Sequence, residues 1–314
     1  MAGISYVLTS YNKSTHLPCV LKSISIERSQ TDGEIIIVDE GSTDNSIDIC
    51  QVFAATHPDV TFIKMRNRSV YAAYNRAIPL VKNKWLRLCD CDTPLIAGST
   101  QYLAELATLD EADIVYGHTL ARGVSPLPIS QLSTVRPVSY ASQVRTDALL
   151  HLIQAMDLLT SRALYRASKA RQGMPLPENL ISCPDFALAL RVAAAGRLVK
   201  IDEPVCYSLK ALPAQQKLSE ALKRHQIIRI LQASRRLLER RHRNASILEL
   251  YKWSCRSARK DVRGWRHSAR KMRLKLLMTV TSFGLYDWHS ALDAFASQYE
   301  KELAPLFQRL FRQY

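Results

Sequence analysis

The chain has 314 residues, of which 47% are hydrophobic and 23% charged, with 43 Lys or Arg against 28 Asp or Glu for a net charge of +15. This composition excludes a disordered or low-complexity protein, and the length accommodates a large domain with an appendage, or two domains. An apolar run begins at Ile4 without a basic leader or cleavage site, and Ala2 is not the glycine that myristoylation needs, so the expected setting is the cytoplasm. The seven cysteines (Cys19, Cys50, Cys89, Cys91, Cys183, Cys206 and Cys255) form no CxxC pair and no zinc-ligand spacing. They read as reduced thiols, mostly small core residues.

In chain order, Ile4–Ser10 is predicted to be a strand and Leu17 to about Ile26 a helix. The β-branched run Glu34–Asp39 predicts a central strand buried on both faces. It ends in Gly41-Ser42-Thr43-Asp44, where Gly41 supplies a turn and Ser42 or Thr43 can cap a helix running to about Thr56. Val60–Lys64 follows as a strand, Val70–Val81 as a helix, and Trp85–Cys89 as a strand ending at Asp90-Cys91-Asp92. Ser99–Leu109 reads as a helix and Asp113–Gly117 as a strand. Residues 121–145, with Pro126, Pro128 and Pro137, read as irregular. Asp185–Ala195 is a helix closed by Gly196, and Leu198–Ile201 a strand. From about Pro213 strand signals cease. The alternation of strands and helices predicts an α/β fold, a mostly parallel sheet covered by helices, followed by a basic helical extension.

Three acidic clusters fall at predicted strand ends or at a helix start, and open α/β sheets bind ligands beyond the carboxyl ends of their strands. In the first, Asp39 and Glu40 stand before a glycine turn, able to accept hydrogen bonds from a base or ribose; acids also cap helices at such turns. In the second, alternation in an extended segment points Asp90 and Asp92 the same way, so that Mg²⁺ or Mn²⁺ could be shared between them and a diphosphate. Paired acids also occur in plain surface turns. The third is Asp185, at the start of a helix, where a structural acid would favour the helix dipole. His118 and His151 receive no role.

Together these strings resemble the family 2 glycosyltransferases of GT-A fold, particularly members that assemble bacterial polysaccharide and lipopolysaccharide. Val7-Leu8-Thr9-Ser10-Tyr11-Asn12 is similar to the family's first strand and its Thr-x-Tyr-Asn turn. Glu34 through Asp44 is similar to the string EIIVVDDGSTD, and Val70 through Ile78 to IYDAMNKGI. Asp90-Cys91-Asp92 matches the metal-binding acids, Asp113 through Gly117 a strand common in the family, and Pro184-Asp185 to Gly196 the segment of the catalytic base. The six blocks cover roughly residues 4–210. Glu40 replaces the usual second Asp, Ser69 a glycine, Tyr74 an arginine found in some members, and Pro184 an acid.

The resemblance implies a catalytic domain over 1–212, with a nucleotide-sugar half (1–93) and an acceptor half (94–212), and a separate region over 213–314. It implies inverting transfer from a nucleotide sugar, UDP-linked by preference, to a glycan or lipid-linked acceptor. Thr9, Ser10, Tyr11, Asp39, Glu40, Asn75 and Asp90 would hold the donor. Asp92 with Asp90 would hold Mg²⁺ or Mn²⁺, and Asp185 would be the general base. A nucleotidyltransferase, or an inactive member serving as a scaffold, are the alternatives.

Residues 217–275 hold 19 Lys or Arg and four acids, so the whole net charge sits there and the remainder is neutral. Leu218, Leu222, Ile227, Ile230, Leu231, Leu237 and Leu238 recur at helical spacing, with Arg229, Arg236, Arg240 and Arg243 largely off that face. In Lys252–Lys275, Trp253 and Trp265 interleave with basic residues, and Leu274–Trp288 is too short and too interrupted to span a bilayer. The expectation is a segment over 217–288 lying on the anionic inner face of the cytoplasmic membrane. A packed or oligomerising tail is the alternative, and the neutral, acid-studded first two-thirds argues against a nucleic-acid partner.

Overall fold

The computed structural model describes residues 3–66, 69–122, 143–145, 147–156, 160–209, 213–258, 277–278, 281 and 287–297. Strand β1 (Ile4–Ser10) is followed by α1 (Leu17–Ser29), β2 (Gly33–Asp39), α2 (Ser46–Thr56), β3 (Val60–Lys64), α3 (Val70–Ala77) and β4 (Trp85–Asp90). Then come α4 (Ser99–Leu109), β5 (Ile114–Arg122), β6 (Gln143–Arg145), α5 (Ala148–Ala155), β7 (Ala163–Arg166), α6 (Ala167–Gln172), α7 (Pro184–Ala193) and β8 (Leu198–Leu209). Helices α8 (Pro213–Ala233) and α9 (Arg240–Ala258) follow.

The eight strands form one sheet in the order β3-β2-β1-β4-β7-β5-β8-β6. The first four are mutually parallel. Strand β1 has no exposed position, and Ile36, Ile37 and Val38 of β2 are at most 1% exposed, because helices cover both faces. Burying such a side chain is worth about 1.5–3 kcal/mol, which is why the continuous apolar run makes a central strand. On one face Ile4, Tyr6 and Leu8, spaced by two, meet Leu17, Val20, Leu21 and Ile24 of α1 and Leu103 and Leu106 of α4.

Strand β7 was not anticipated. It runs antiparallel between β4 and β5, its four residues too few to carry a period, yet Ala163, Leu164 and Tyr165 are fully buried. Strand β6, three residues long, lies inside the stretch read as irregular and pairs with β8; the prolines of that stretch lie outside the described residues. Strand β8 runs eight residues beyond the predicted Ile201, past a register shift opposite Tyr116–Thr119 of β5. The helix expected to reach Val81 ends at Ala77 and continues as one 3₁₀ turn, Ile78–Leu80, because Pro79 has no amide to continue the α pattern.

The chain divides into two compact units: residues 1–148 with 158–212, and residues 149–157 with 213–314. The second unit also buries apolar side chains. Ile227, Ile228, Ile230 and Leu231 of α8 and Ile247 and Leu250 of α9 are buried, and so are Ala291, Leu292, Phe295 and Ala296. The expected single amphipathic face is interrupted by a 3₁₀ turn at Arg235–Leu237, which leaves Leu237 36% exposed. Trp288, expected on the outer surface, is buried instead and donates from its indole N–H to Ser246 Oγ at 3.2 Å. Residues 259–276, with Trp265 and much of the basic run, lie outside the described residues. Among the described residues no helix is long and apolar enough to cross a membrane.

Candidate active site

Strand register assembles the site. Ser10 lies opposite Asp39, Thr9 opposite Asp90, and Asp39 opposite Lys64, so the acidic clusters of β2 and β4 share the carboxyl edge of the parallel strands. There the loops after β1 and β2 are tied together. Asn12, in the left-handed region at φ 52°, accepts the Thr43 N–H on Oδ1 at 2.7 Å and donates its own N–H to Ser42 Oγ at 2.9 Å. The Lys13 N–H donates to Ser46 Oγ and the Ser14 N–H to Asp44 Oδ2, both at 3.0 Å.

Inside this clasp the structure changes the reading of Asp39. Its carboxylate is fully buried and accepts the N–H groups of Gly41 (3.0 Å) and Ser42 (2.7 Å) on Oδ1 and the Ser42 hydroxyl (2.6 Å) on Oδ2. These bonds shape the turn after β2, and Gly41, at φ 103°, permits the reversal. Glu40 is the acid left to face the site. Burial, then Asp90 and Asp39, push its carboxyl up to about 8. Ser10 is also turned inward, at 1% exposure, leaving its carbonyl to accept the Glu40 N–H at 2.9 Å. Of the β1 turn, Thr9 is 8% and Tyr11 39% exposed, so the tyrosine ring is the group most open to a ligand.

Asp90 and Asp92 flank Cys91, whose thiol turns inward to donate to the Thr9 carbonyl at 3.1 Å. Burial, followed by Asp92, raises the Asp90 carboxyl; Lys13 pulls it down and Asp185 adds to the rise. Asp92 accepts Lys13 Nζ at 3.2 Å on Oδ2 and the Thr93 hydroxyl at 3.1 Å on Oδ1. Burial lowers the Lys13 ammonium, but Asp92 and Asp90 outweigh it and the net direction is upward. Lys13 was missed in the sequence. Its only signal was a basic residue directly after the Tyr11-Asn12 turn.

Asp185 stands in the first turn of α7, 1% exposed, and accepts the Thr160 N–H on Oδ2 at 3.0 Å. The next residue, Ser161, is buried in the left-handed region (φ 59°); its hydroxyl accepts the Asp90 N–H at 3.0 Å and its carbonyl accepts Arg87 Nη2 at 2.9 Å. This dipeptide therefore holds both the β4 acid and the α7 acid. No sequence pattern pointed to it. Tyr74 is buried, its phenol raised well above its ordinary value by burial, then by Asp185 and Asp90.

Asn75, expected on the donor side, bonds to the segment before α7. Its Nδ2 donates to the Leu176 carbonyl and to Glu178 Oε1, both at 2.9 Å, and its Oδ1 accepts the Leu176 N–H at 2.7 Å. With every polar group of its amide engaged, it fixes the segment leading into α7. Tyr71 does the same from the next turn, donating to the Ser182 carbonyl at 2.8 Å.

Among the described residues no three His, Cys, Asp or Glu side chains gather as a metal cage. Asp90 and Asp92 nevertheless suit a cation that takes few protein oxygens and completes its shell with phosphate and water, as Mg²⁺ and Mn²⁺ do. Acids at the carboxyl edge of a mostly parallel sheet, beside an exposed aromatic ring, define an α/β protein built to hold a nucleotide and its phosphates.

The chain belongs to glycosyl transferase family 2, whose model matches residues 5–193. It is similar to the PGL/p-HBAD biosynthesis glycosyltransferase of Mycobacterium bovis strain BCG, 31% identical over 126 residues, covering 38% of this chain and 48% of the relative. An uncharacterized glycosyltransferase of Escherichia coli K12, YibD, is 29% identical over 111 residues, 35% of this chain and 32% of the relative. The match thus spans 32–48% of these relatives' length. Among solved structures, Staphylococcus aureus TarS 1–349 superposes with a TM-score of 0.60 at 14% identity, covering 95% of this chain and 91% of TarS 1–349. The mannosyltransferase PcManGT of Pyrobaculum calidifontis gives 0.57 at 14%, covering 95% and 86%. These confirm the GT-A-like fold.

Proposed function

We propose that the protein transfers a sugar from a nucleotide-sugar donor to a hydroxyl of a glycan or lipid-linked acceptor, with inversion at the anomeric carbon. The observation that carries this reading is the convergence of Glu40, Asp90, Asp92 and Asp185, from two strand ends and one helix start, into one electrostatic neighbourhood. TarS has been solved with UDP-GlcNAc and PcManGT with GDP-Man and Mn²⁺, which supports a nucleotide-sugar donor.

In this reading Tyr11 lies against the nucleobase and Glu40 meets its polar edge. Asp92 and Asp90 would hold Mg²⁺ or Mn²⁺, and the ion would supply positive charge to offset that of the leaving diphosphate. Asp185 receives the proton of the acceptor hydroxyl as that oxygen bonds to the anomeric carbon and the bond to the diphosphate oxygen breaks. A single displacement needs one base and yields the inverted anomer. Asn75 and Tyr71 keep Asp185 in place by tying down the segment before α7.

The second unit is proposed to rest on an anionic membrane surface. At the α8–α9 junction Arg235, Arg236, Arg240 and Arg241 are exposed beside Leu237, a cationic turn with an apolar tip.

The test is nucleoside diphosphate release from a panel of UDP- and GDP-sugars in Mg²⁺, in Mn²⁺ and in excess EDTA. Release from at least one donor, abolished by EDTA and in Asp92→Ala, is expected. Pyrophosphate as the product would mean a nucleotidyltransferase, and full turnover in EDTA would sink the role of Asp90 and Asp92.

A further inference from the structure

The sequence suggested an acid pair free to take a cation, but the structure pairs Asp92 with Lys13. The two side chains are equally half-buried, at 38% exposure each, and Nζ stands 3.2 Å from Oδ2. Lys13 is not a drifting surface lysine. Its backbone is anchored by the bond to Ser46 Oγ and by its carbonyl, which accepts the N–H groups of His16 and Leu17. The ammonium acts on buried Asp90 together with the carboxylates of Asp92 and Asp185, offsetting part of their negative charge.

Two cations held at the same Asp92 carboxylate oppose each other. A divalent ion bound there repels an ammonium in contact with the same carboxylate. The anchored backbone and flexible four-carbon stem let the Lys13 head swing while its base stays fixed. The anionic group brought to this edge with the ion is the diphosphate of the donor.

We infer that Lys13 is the resident counter-ion of Asp92 in the donor-free protein, displaced on loading to become a cationic contact of the donor's diphosphate. This rests on the donor reading above. It gives Lys13 two opposite effects: competition with the metal ion in the empty site, and attraction of the diphosphate. An ordinary structural ion pair has neither.

Direct binding separates them. Mn²⁺ binding without nucleotide is measured by electron paramagnetic resonance, and UDP and GDP binding in EDTA by calorimetry, for wild type, Lys13→Met and Lys13→Arg. Lys13→Met, matched to wild type in thermal melting, should bind Mn²⁺ about threefold to fivefold more tightly, the worth of a half-exposed ion pair. It should bind nucleoside diphosphate without metal about tenfold more weakly, the worth of one charge-assisted contact. Lys13→Arg should stay near wild type in both. If Mn²⁺ affinity fails to rise, or diphosphate affinity fails to fall, in Lys13→Met, the inference is overturned. A wild-type protein that binds neither Mn²⁺ nor either nucleotide overturns the donor reading and this inference with it.

Discussion

Asp185 and Glu40 are both acids in buried surroundings, and their partners separate their roles. Asp185 accepts a backbone N–H from Thr160 and lies near Asp90 of β4, the position from which the proposed mechanism has it act as base. Asp185→Asn preserves size and removes the acceptor lone pair. The transfer rate should fall by about 10²–10⁴-fold with nucleotide affinity unchanged; near-normal transfer would reduce Asp185 to a helix-start acid. Glu40 makes a different prediction. Its native carboxyl holds its proton to about 8, against an ordinary 4.5. Between those values the folded protein binds more protons than the unfolded chain, so stability falls as pH rises through the window and stays low above it. Glu40→Gln has no charge to bury. Its thermal midpoint should gain on wild type between pH 5 and pH 9, and a constant difference between the two would refute the buried-acid account.

At the scale of elements, a buried ion pair reinforces the apolar packing between the sheet and its helices. Arg87 of β4 and Glu27 of α1 are at most 1% exposed, with Nη1 and Oε2 3.8 Å apart. Arg87 also donates to Ser99 Oγ (2.9 Å), Thr100 Oγ1 (2.6 Å) and the carbonyls of Ser161 (2.9 Å) and Val205 (3.0 Å). Glu27 accepts the Gly98 and Thr100 N–H groups at the start of α4. The pair therefore fixes α1, α4, β4 and the Ser161 turn at once, and it underlies the placement of Asp90. Removing one partner leaves a buried charge unmatched, at a cost of about 3–5 kcal/mol. Glu27→Ala should lose about that much in denaturant unfolding; a loss below about 1 kcal/mol would mean that water replaces the carboxylate.

For the whole molecule, the charge arithmetic and the division into units lead to one experiment. Residues 149–157 cluster with 213–314, so cutting the chain after Leu212 would strip that segment of its neighbours. The full chain is the right object. Each basic residue near an anionic bilayer contributes about 1 kcal/mol, screened by salt. Wild type should co-sediment with phosphatidylserine vesicles at low salt and much less with phosphatidylcholine. Replacing Arg235, Arg236, Arg240 and Arg241 with Gln should weaken that binding and leave nucleoside diphosphate release intact. If wild type ignores anionic vesicles at low salt, the second unit serves only packing or self-association.

What the sequence determined by itself were features written in consecutive residues. The buried β-branched run Glu34–Asp39, the glycine turn after it, and the acids at Asp90, Asp92 and Asp185 are local patterns whose period and chemistry survive folding. The expected sheet and helices follow from them through residue 120. The tertiary structure decided what depends on neighbours far along the chain. It closed Asp39 into its own turn, committed Asn75 to a segment a hundred residues later, set Lys13 against Asp92 across 79 positions, and inserted the short β7 antiparallel between β4 and β5. A carboxylate or amide looks the same in a sequence whether its lone pairs face a ligand or a backbone amide, and only the packed chain determines which groups lie within hydrogen-bond reach.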